Sequence, residues 1–376
     1  MASRLWEAAI EPLDRRMPGF VAAMSDVPLS VSEAPGNPGI AMFREHGGPG
    51  LLVPKSYGGA ELSAVDAVAV QRGIGALSPS TAVAVTMHQF TIATLVELVR
   101  SQGGMEWMMI EAIARQSLLM ASGFAEGDPQ GRVLRPTMKL QPADTGFRLT
   151  GEKVPCSLSS SMDLIAVSVL VPEDGVERFA VAMVSAKSPH GISVEPMWSS
   201  PLLAGAETGR VRFSGVQIPV AAVSYVGDAD ELDETQARGY TWFELLIAGS
   251  YLGAALALAE QVSRRKRGSL AGMTGIASEL ELCAAALAAV AAQLDQGAGD
   301  QALLARVLLV RYALERALQR TTDAAFEVLG VGALSESADA MLLLGSVRAL
   351  SFHPPSRTRT EEALGAYVNG QPLVLE

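Results

Sequence analysis

The residues best placed to do chemistry in this chain lie in Gly151–Asp163, GEKVPCSLSSSMD. Cys156, Ser157, Ser159, Ser160 and Ser161 gather a thiol and four hydroxyls into a turn with little bulk and no charge. The segment sits between RLT and the β-branched run LIAVSVLV, so it reads as strand, turn and second buried strand. Such a turn lets a flat ring lie against the backbone and meet a hydroxyl at its edge; an ordinary Ser-rich turn has the same composition. Glu244 is the second candidate, a carboxylate on an otherwise apolar helix, TWFELLIAG. Burial there would raise its pKa toward the range of a general base. A helix N-terminal acid favoured by the helix dipole fits the same residue.

Composition bounds what surrounds these groups. A chain of 376 residues, 49% of them hydrophobic, buries a large core and is long enough for two or three domains. Net charge is −11, and no Lys/Arg cluster is interleaved with aromatics, so no nucleic-acid partner is expected. The densest basic run, Arg264–Arg267, ends an apolar helix and reads as a solvated helix terminus or a phosphate site. Two cysteines, Cys156 and Cys283, build no disulfide framework and have no metal-ligand spacing, which fits a reducing cytoplasm and no metal. The opening MASRLWEAAIEPLDRR carries acids and no long apolar region, so no signal peptide is expected. The most apolar helix, Leu245–Ala259, is interrupted by Ser250 and Tyr251 and reads as too short to span a bilayer. The expectation is a soluble cytoplasmic protein without a membrane partner.

The elements that must position the chemistry change character twice. Residues 1–120 carry helical periodicity over 62–77, 86–101 and 104–118, with Ser63 as a helix N-cap. Residues 121–228 turn to strands, including 178–186, 191–197 and 209–220. Residues 229–376 return to long helices, Tyr240–Arg264, Ala277–Gln296, Asp300–Leu329 and Ser337–Leu350, followed by a tail. This α–β–α order implies an α+β fold: an N-terminal helical domain (1–120), a central β-barrel or sandwich (121–228), and a C-terminal four-helix bundle with tail (229–376).

At this point the chain resembles the acyl-CoA dehydrogenase superfamily of flavoproteins. Lys153 and Asp163 keep the spacing of that family's central motif, which puts Ser157 where the family has a Thr bonding the flavin N5 edge, and Pro155 where it has a Trp. LLVPKSYGGAELSAVDAVAV (51–70), GRVRFSGVQIPVAAV (209–223) and FELLIAGSYLGAALALAE (243–260) are similar to three further family segments in the same order. The resemblance implies the acyl-CoA dehydrogenase-like fold over nearly the whole chain. It implies an FAD cofactor, with FMN as the alternative, and a homodimer or homotetramer built through the C-terminal bundles.

Carried over residue by residue, the resemblance places Ser122 and Gly123, in the loop Ala121–Asp128, against the pyrimidine edge of the flavin, beside Cys156 and Ser157. Arg265, Gly330 and Gly332 stand where the family cradles the flavin phosphates, although glycines after a helix are also ordinary C-caps. The family's usual catalytic Glu is replaced by His353 and Pro354; a second family location for the base falls within a residue of Glu244. The tail RALSFHPPSRTRTEEALGAYVNGQPL is similar instead to dibenzothiophene-monooxygenase-type flavin enzymes of the same fold, with His353 at their catalytic His and His88 near the other. The first expectation is therefore α,β-oxidation of an acyl thioester carried on CoA or a carrier protein, with an electron-acceptor flavoprotein as partner. The alternatives are a two-component monooxygenase fed by a flavin reductase and a non-catalytic protein on the same fold.

Overall fold

In the computed structural model, residues 3–127, 135–173, 176–187, 191–228, 232–335 and 338–375 are described; Asp128, His190 and Ser337 lie outside them. Helices come first: α1 (Arg4–Arg16), α2 (Phe20–Ser25), α3 (Leu29–Ser32), α4 (Pro38–Glu45), α5 (Ala64–Leu77), α6 (Pro79–Gln102) and α7 (Trp107–Gln116). Strands follow: β1 (Met120–Gly123), β2 (Gln141–Ala143), β3 (Gly146–Cys156) and β4 (Leu164–Glu173). After them come β5 (Val176–Ser185), β6 (Ile192–Pro196), β7 (Gly209–Ile218) and β8 (Val223–Asp228). The chain then returns to helix: α8 (Glu234–Arg264), α9 (Leu270–Asp295), α10 (Gln301–Leu329), α11 (Val331–Ser335), α12 (Ala338–Arg348) and α13 (Arg357–Val368). This is the expected α–β–α order.

Side-chain caps explain where the helices begin. The Asp66 N–H donates to Ser63 Oγ at 3.1 Å, starting α5 where the sequence places it. Ser78 both ends α5 and caps α6, accepting from the Thr81 N–H at 3.1 Å with Pro79 in the first turn. α6 therefore begins seven residues before its apolar periodicity becomes legible at 86. Asp233 likewise starts α8 six residues before Tyr240, accepting from the Gln236 N–H at 2.7 Å.

The strands form two four-stranded sheets, ordered β1-β4-β5-β8 and β2-β3-β7-β6. β1 runs parallel to β4 at the edge of the first sheet, while β3, β7 and β6 pair antiparallel in the second. β7 alternates buried Val211 and Phe213 with exposed Arg212 and Ser214, the pattern of a strand with one wet face. β5 is buried continuously from Phe179 to Val184, as befits a strand covered on both sides.

α8 is the axis of the molecule. It packs against α5, α6, α9, α10 and α12, and one continuous hydrophobic core runs from Leu13 to Leu373. Its crossing with α5 is very close: a Cβ on Gly253 would lie 2.1 Å from the Arg72 carbonyl oxygen, and one on Gly75 2.0 Å from that of Ser250. By length and composition α6, α8 and α9 could each cross a membrane, so α8 exceeds the short apolar run expected from the sequence. The apolar window of α8 is nonetheless entirely buried in protein, and that of α6 nearly so; α9 buries only a third of its own.

Candidate functional site

The hydroxyl turn is held from below by a buried ion pair. Lys153 on β3 is fully buried, and its Nζ donates to Glu126 Oε1 at 2.6 Å and to Ser168 Oγ at 3.0 Å. Glu126 follows β1, and the Val154 N–H donates to the Ala125 carbonyl at 2.8 Å. The end of β1 and the Pro155–Ser157 turn are thus brought side by side. Ser157 Oγ lies 2.9 Å from Thr208 Oγ1, and Ser159 Oγ donates to the Glu207 carbonyl at 2.7 Å. Cys156 points the other way: its thiol is buried in the core and burial pushes its pKa up to about 12, leaving only its backbone to meet a ligand. β1 is an edge strand of its sheet, and all four of its residues, Ser122 and Gly123 among them, are buried.

A second polar cluster lies inside the bundle, around a fully buried arginine. Arg311 Nη1 donates to Glu244 Oε2 at 2.8 Å and to the Pro355 carbonyl at 3.0 Å. Its Nη2 donates to the carbonyls of Leu350, at 2.8 Å, and His353, at 2.7 Å. Tyr312 OH adds a 2.7 Å bond to the Pro355 carbonyl. Arg311 therefore ties the segment after α12 to the bundle. Burial raises the Glu244 carboxyl to about 7, more than Arg311 lowers it, and Glu244 Oε1 is buried without a hydrogen-bond partner among the described residues. Glu244 is locked into this pair rather than standing in an open site.

The two candidate histidines are placed very differently. His88 on α6 is buried with both ring nitrogens engaged: Nδ1 accepts from the Met120 N–H at 3.0 Å and Nε2 donates to the Pro49 carbonyl at 3.1 Å. Burial holds it down to about 4, so it is a neutral brace between α6 and β1 with no nitrogen left for a ligand. His353 is half-buried, with Nε2 2.7 Å from Tyr251 OH on α8. Burial and Arg311 hold its ring down to about 3.

A row of aromatic rings joins His353 to the end of β1. Phe124 meets Phe90 at 6.1 Å, Phe90 meets Phe243 at 5.1 Å, and Phe243 meets His353 at 6.2 Å between centroids. The geometry thus assembles one apolar wall with hydroxyls and an edge strand at one end and a histidine at the other. Sequence reasoning did not find Arg311, Tyr251, Thr208 or this row. Two signals were available: Arg311 is a lone cation in the apolar run LLVRYAL, and Tyr251 follows Glu244 by two helical turns on the same face.

Residues 29–102 match the acyl-CoA dehydrogenase N-terminal domain. Over 376 aligned residues the chain is 40% identical to isobutylamine N-hydroxylase of Streptomyces viridifaciens, covering 98% of this chain and 99% of that protein. The chain belongs to the acyl-CoA dehydrogenase superfamily of flavoenzymes. Its fold matches KijD3 in complex with FMN and dTDP-3-amino-2,3,6-trideoxy-4-keto-3-methyl-D-glucose, with a TM-score of 0.83 at 18% identity, over 98% of this chain and 94% of that one. It also matches TdsC from Paenibacillus sp. A11-2 with FMN and indole, with a TM-score of 0.80 at 17% identity, over 100% and 99% of the two chains.

Enzymes of this superfamily oxidise their substrates with flavin, FAD in the acyl-CoA dehydrogenases and FMN in the solved neighbours just named. The residues present fit such a group. Arg265 is half-buried and Lys266 and Arg267 are exposed, and none has a carboxylate partner among the described residues. Gly268 packs on Val328, where a Cβ would lie 2.6 Å from Val328 Cγ1, which brings this basic run to the corner where α10 ends. There Gly330 has a φ of 68° and a Cβ would meet nothing within 4 Å, so a phosphate has room to approach its Cα. Gly330 also caps α10, its N–H donating to the Phe326 and Glu327 carbonyls. Gly332 lies one residue into α11 rather than in an extended loop, because the chain resumes a helical turn directly after Gly330. No hydrogen bond or ring contact joins this corner to the hydroxyl turn among the described residues.

Proposed function

We propose that this flavoenzyme is a monooxygenase that uses reduced flavin to hydroxylate the nitrogen of a small primary amine. The observation that carries the reading is the contrast between Glu244 and His353. Dehydrogenation needs a carboxylate able to take a proton from carbon. Glu244 is instead paired with Arg311 deep in the bundle, whereas His353 ends the aromatic wall as a neutral ring. Similarity over the whole chain to isobutylamine N-hydroxylase supports an aliphatic amine as the substrate class.

Reduced flavin, when bound, supplies the electrons that split dioxygen, one oxygen atom going to nitrogen and the other leaving as water. Ser122, the Gly123 amide and Ser157 would hold the ring edge, and Arg265 the phosphate, with Gly330 leaving room for it. Phe90, Phe124 and Phe243 keep water from the wall, which strengthens every polar contact made there. His353 offers a hydrogen bond at a fixed place, and a pKa near 3 keeps it neutral at the pH where an amine is partly deprotonated. The enzyme would act in the cytoplasm as a homodimer or homotetramer whose subunits complete one another's flavin sites, supplied by a separate flavin reductase.

The second reading, dehydrogenation of an acyl thioester, draws support from the Glu244 pKa of about 7, which suits a base near neutrality. One assay separates the two. Purified protein is given FMN or FAD, a flavin reductase, NADH and isobutylamine, and the amine products are followed by mass spectrometry. An N-hydroxylated product dependent on both reductase and oxygen supports the proposal. Bleaching of oxidised, protein-bound flavin by acyl-CoA, with no amine product, overturns it in favour of the dehydrogenase.

A further inference from the structure

We propose that Tyr251 sets the tautomer of His353, leaving the single ring proton on Nδ1 so that this histidine presents an N–H donor rather than a lone pair. Tyr251 is 0% exposed, and among the described residues its hydroxyl makes one hydrogen bond, to His353 Nε2 at 2.7 Å. A buried hydroxyl whose proton finds no acceptor carries an unrecovered desolvation cost, so the proton goes to the available nitrogen. Burial pushes the phenol well above its ordinary range, which keeps that proton on Tyr251 at any working pH. His353 Nε2 is therefore the acceptor. The His353 ring, held neutral by its partial burial and by Arg311, carries one proton, which must sit on Nδ1.

The surroundings make this assignment rigid. Arg311 holds the backbone of residues 350–355 through three carbonyls, His353's own among them, which fixes the point from which the imidazole reaches Tyr251. Phe243 packs against the ring 6.2 Å away, between centroids, and fixes its tilt. His88 supplies the opposite case within the same molecule. Its Nδ1 accepts from a backbone N–H and its Nε2 donates to a carbonyl, so its proton is on Nε2. Two histidines of one chain are held in opposite tautomers by one neighbour each on the deciding nitrogen. Tyr251 acts through His353 and is a positioning residue. That the Nδ1–H then serves the oxygen chemistry rests on the proposed monooxygenase function.

The test reads the tautomer directly, without flavin or substrate. The full chain is labelled with ring-15N,13C-histidine, and the ring nitrogen shifts are measured by NMR; four histidines make assignment by single replacement practical. The expected result is protonated Nδ1 and bare Nε2 for His353, with the reverse for His88. In Tyr251→Phe, which removes one oxygen atom and keeps the packing, His353 should move to the Nε2–H form while His88 stays unchanged. Wild-type His353 protonated at Nε2, or a Tyr251→Phe spectrum with His353 unaltered, overturns the proposal. The consequence is read separately as coupling. A catalytic histidine held in the wrong tautomer loses up to about 10⁴-fold in rate, so Tyr251→Phe should lose on the order of 10²-fold or more in product formed per reduced flavin. Hydrogen peroxide should appear in place of product. Failure to oxidise any amine would remove the monooxygenase reading and leave the tautomer assignment standing.

Discussion

Arg311 is where single-residue chemistry and chain geometry meet in this protein. It is 0% exposed and its two terminal nitrogens serve one carboxylate and three carbonyls. Removing one partner of a buried ion pair costs about 3–5 kcal/mol, because the other charge is left uncompensated. Arg311→Met should therefore lower stability by that order in denaturant unfolding. The double variant Arg311→Met with Glu244→Leu should recover the part due to the stranded carboxylate. It should not recover the carbonyl clamp, so residues 350–355 should remain open to rapid amide exchange or to protease. A double variant with wild-type protection of that segment would show that α12, α13 and the neighbouring packing hold His353 without the arginine. The same pair explains why Glu244 looked like a base in the sequence. A carboxylate in an apolar helix is a signal of burial with raised pKa, but its partner lies 67 residues away and only the fold identifies it.

At the scale of elements, the parts that position the site were legible to different depths. The strand–turn–strand of Gly151–Asp163 and the N-cap at Ser63 are local facts, written in residue types a few positions apart, and the structure has both. The early starts of α6 and α8 were missed because Ser78-Pro79 and Asp233 begin those helices in segments without visible apolar periodicity. The aromatic wall was invisible because its rings come from α6, the loop after β1, and α8, and no spacing in the chain relates them. The α5–α8 crossing carries this wall, since α8 bears Phe243 and Tyr251, and it depends on two glycines. At Gly253 an added methyl meets backbone, the Arg72 oxygen at 2.1 Å and the Ala76 nitrogen at 2.6 Å, so no side-chain rotation relieves it. Overpacking of this kind costs about 1–3 kcal/mol, occasionally more, against a gain of only about 1 kcal/mol from replacing Gly by Ala in a helix. Gly253→Ala should lower the melting temperature by several degrees and loosen the Tyr251–His353 contact. An unchanged or higher melting temperature would mean that the two helices separate freely and do not set the site's width.

At the scale of the whole molecule, most apolar surface is spent on one continuous core, but α9 is an exception. Only a third of its apolar window is buried, Leu282 is 67% exposed and Leu270 is 90% exposed. Beside Leu270, at the corner shared by α8 and the end of α10, stand Arg265, Lys266 and Arg267 without carboxylate partners among the described residues, and Val331 is 79% exposed. Apolar surface on this scale marks a contact face, and cations left together in a chain of net charge −11 mark a place for an anion. Both are met if a second copy covers α9 and the flavin phosphate sits at the corner with its ring reaching the neighbouring subunit's hydroxyl turn. Light scattering at micromolar concentration should then give a dimer or tetramer. Leu282→Glu puts a charge in the centre of the covered face beside Glu279 and Glu281, so it should lower the mass toward that of one chain. Flavin retention should fall with it, although no residue at 282 touches the corner in its own subunit, because the phosphate and the ring would no longer be held by two copies at once. A wild-type monomer at that concentration refutes this arrangement outright. A dissociated variant that keeps its flavin would instead place the whole cofactor within one subunit and leave Arg265, Lys266 and Arg267 as the solvated end of α8.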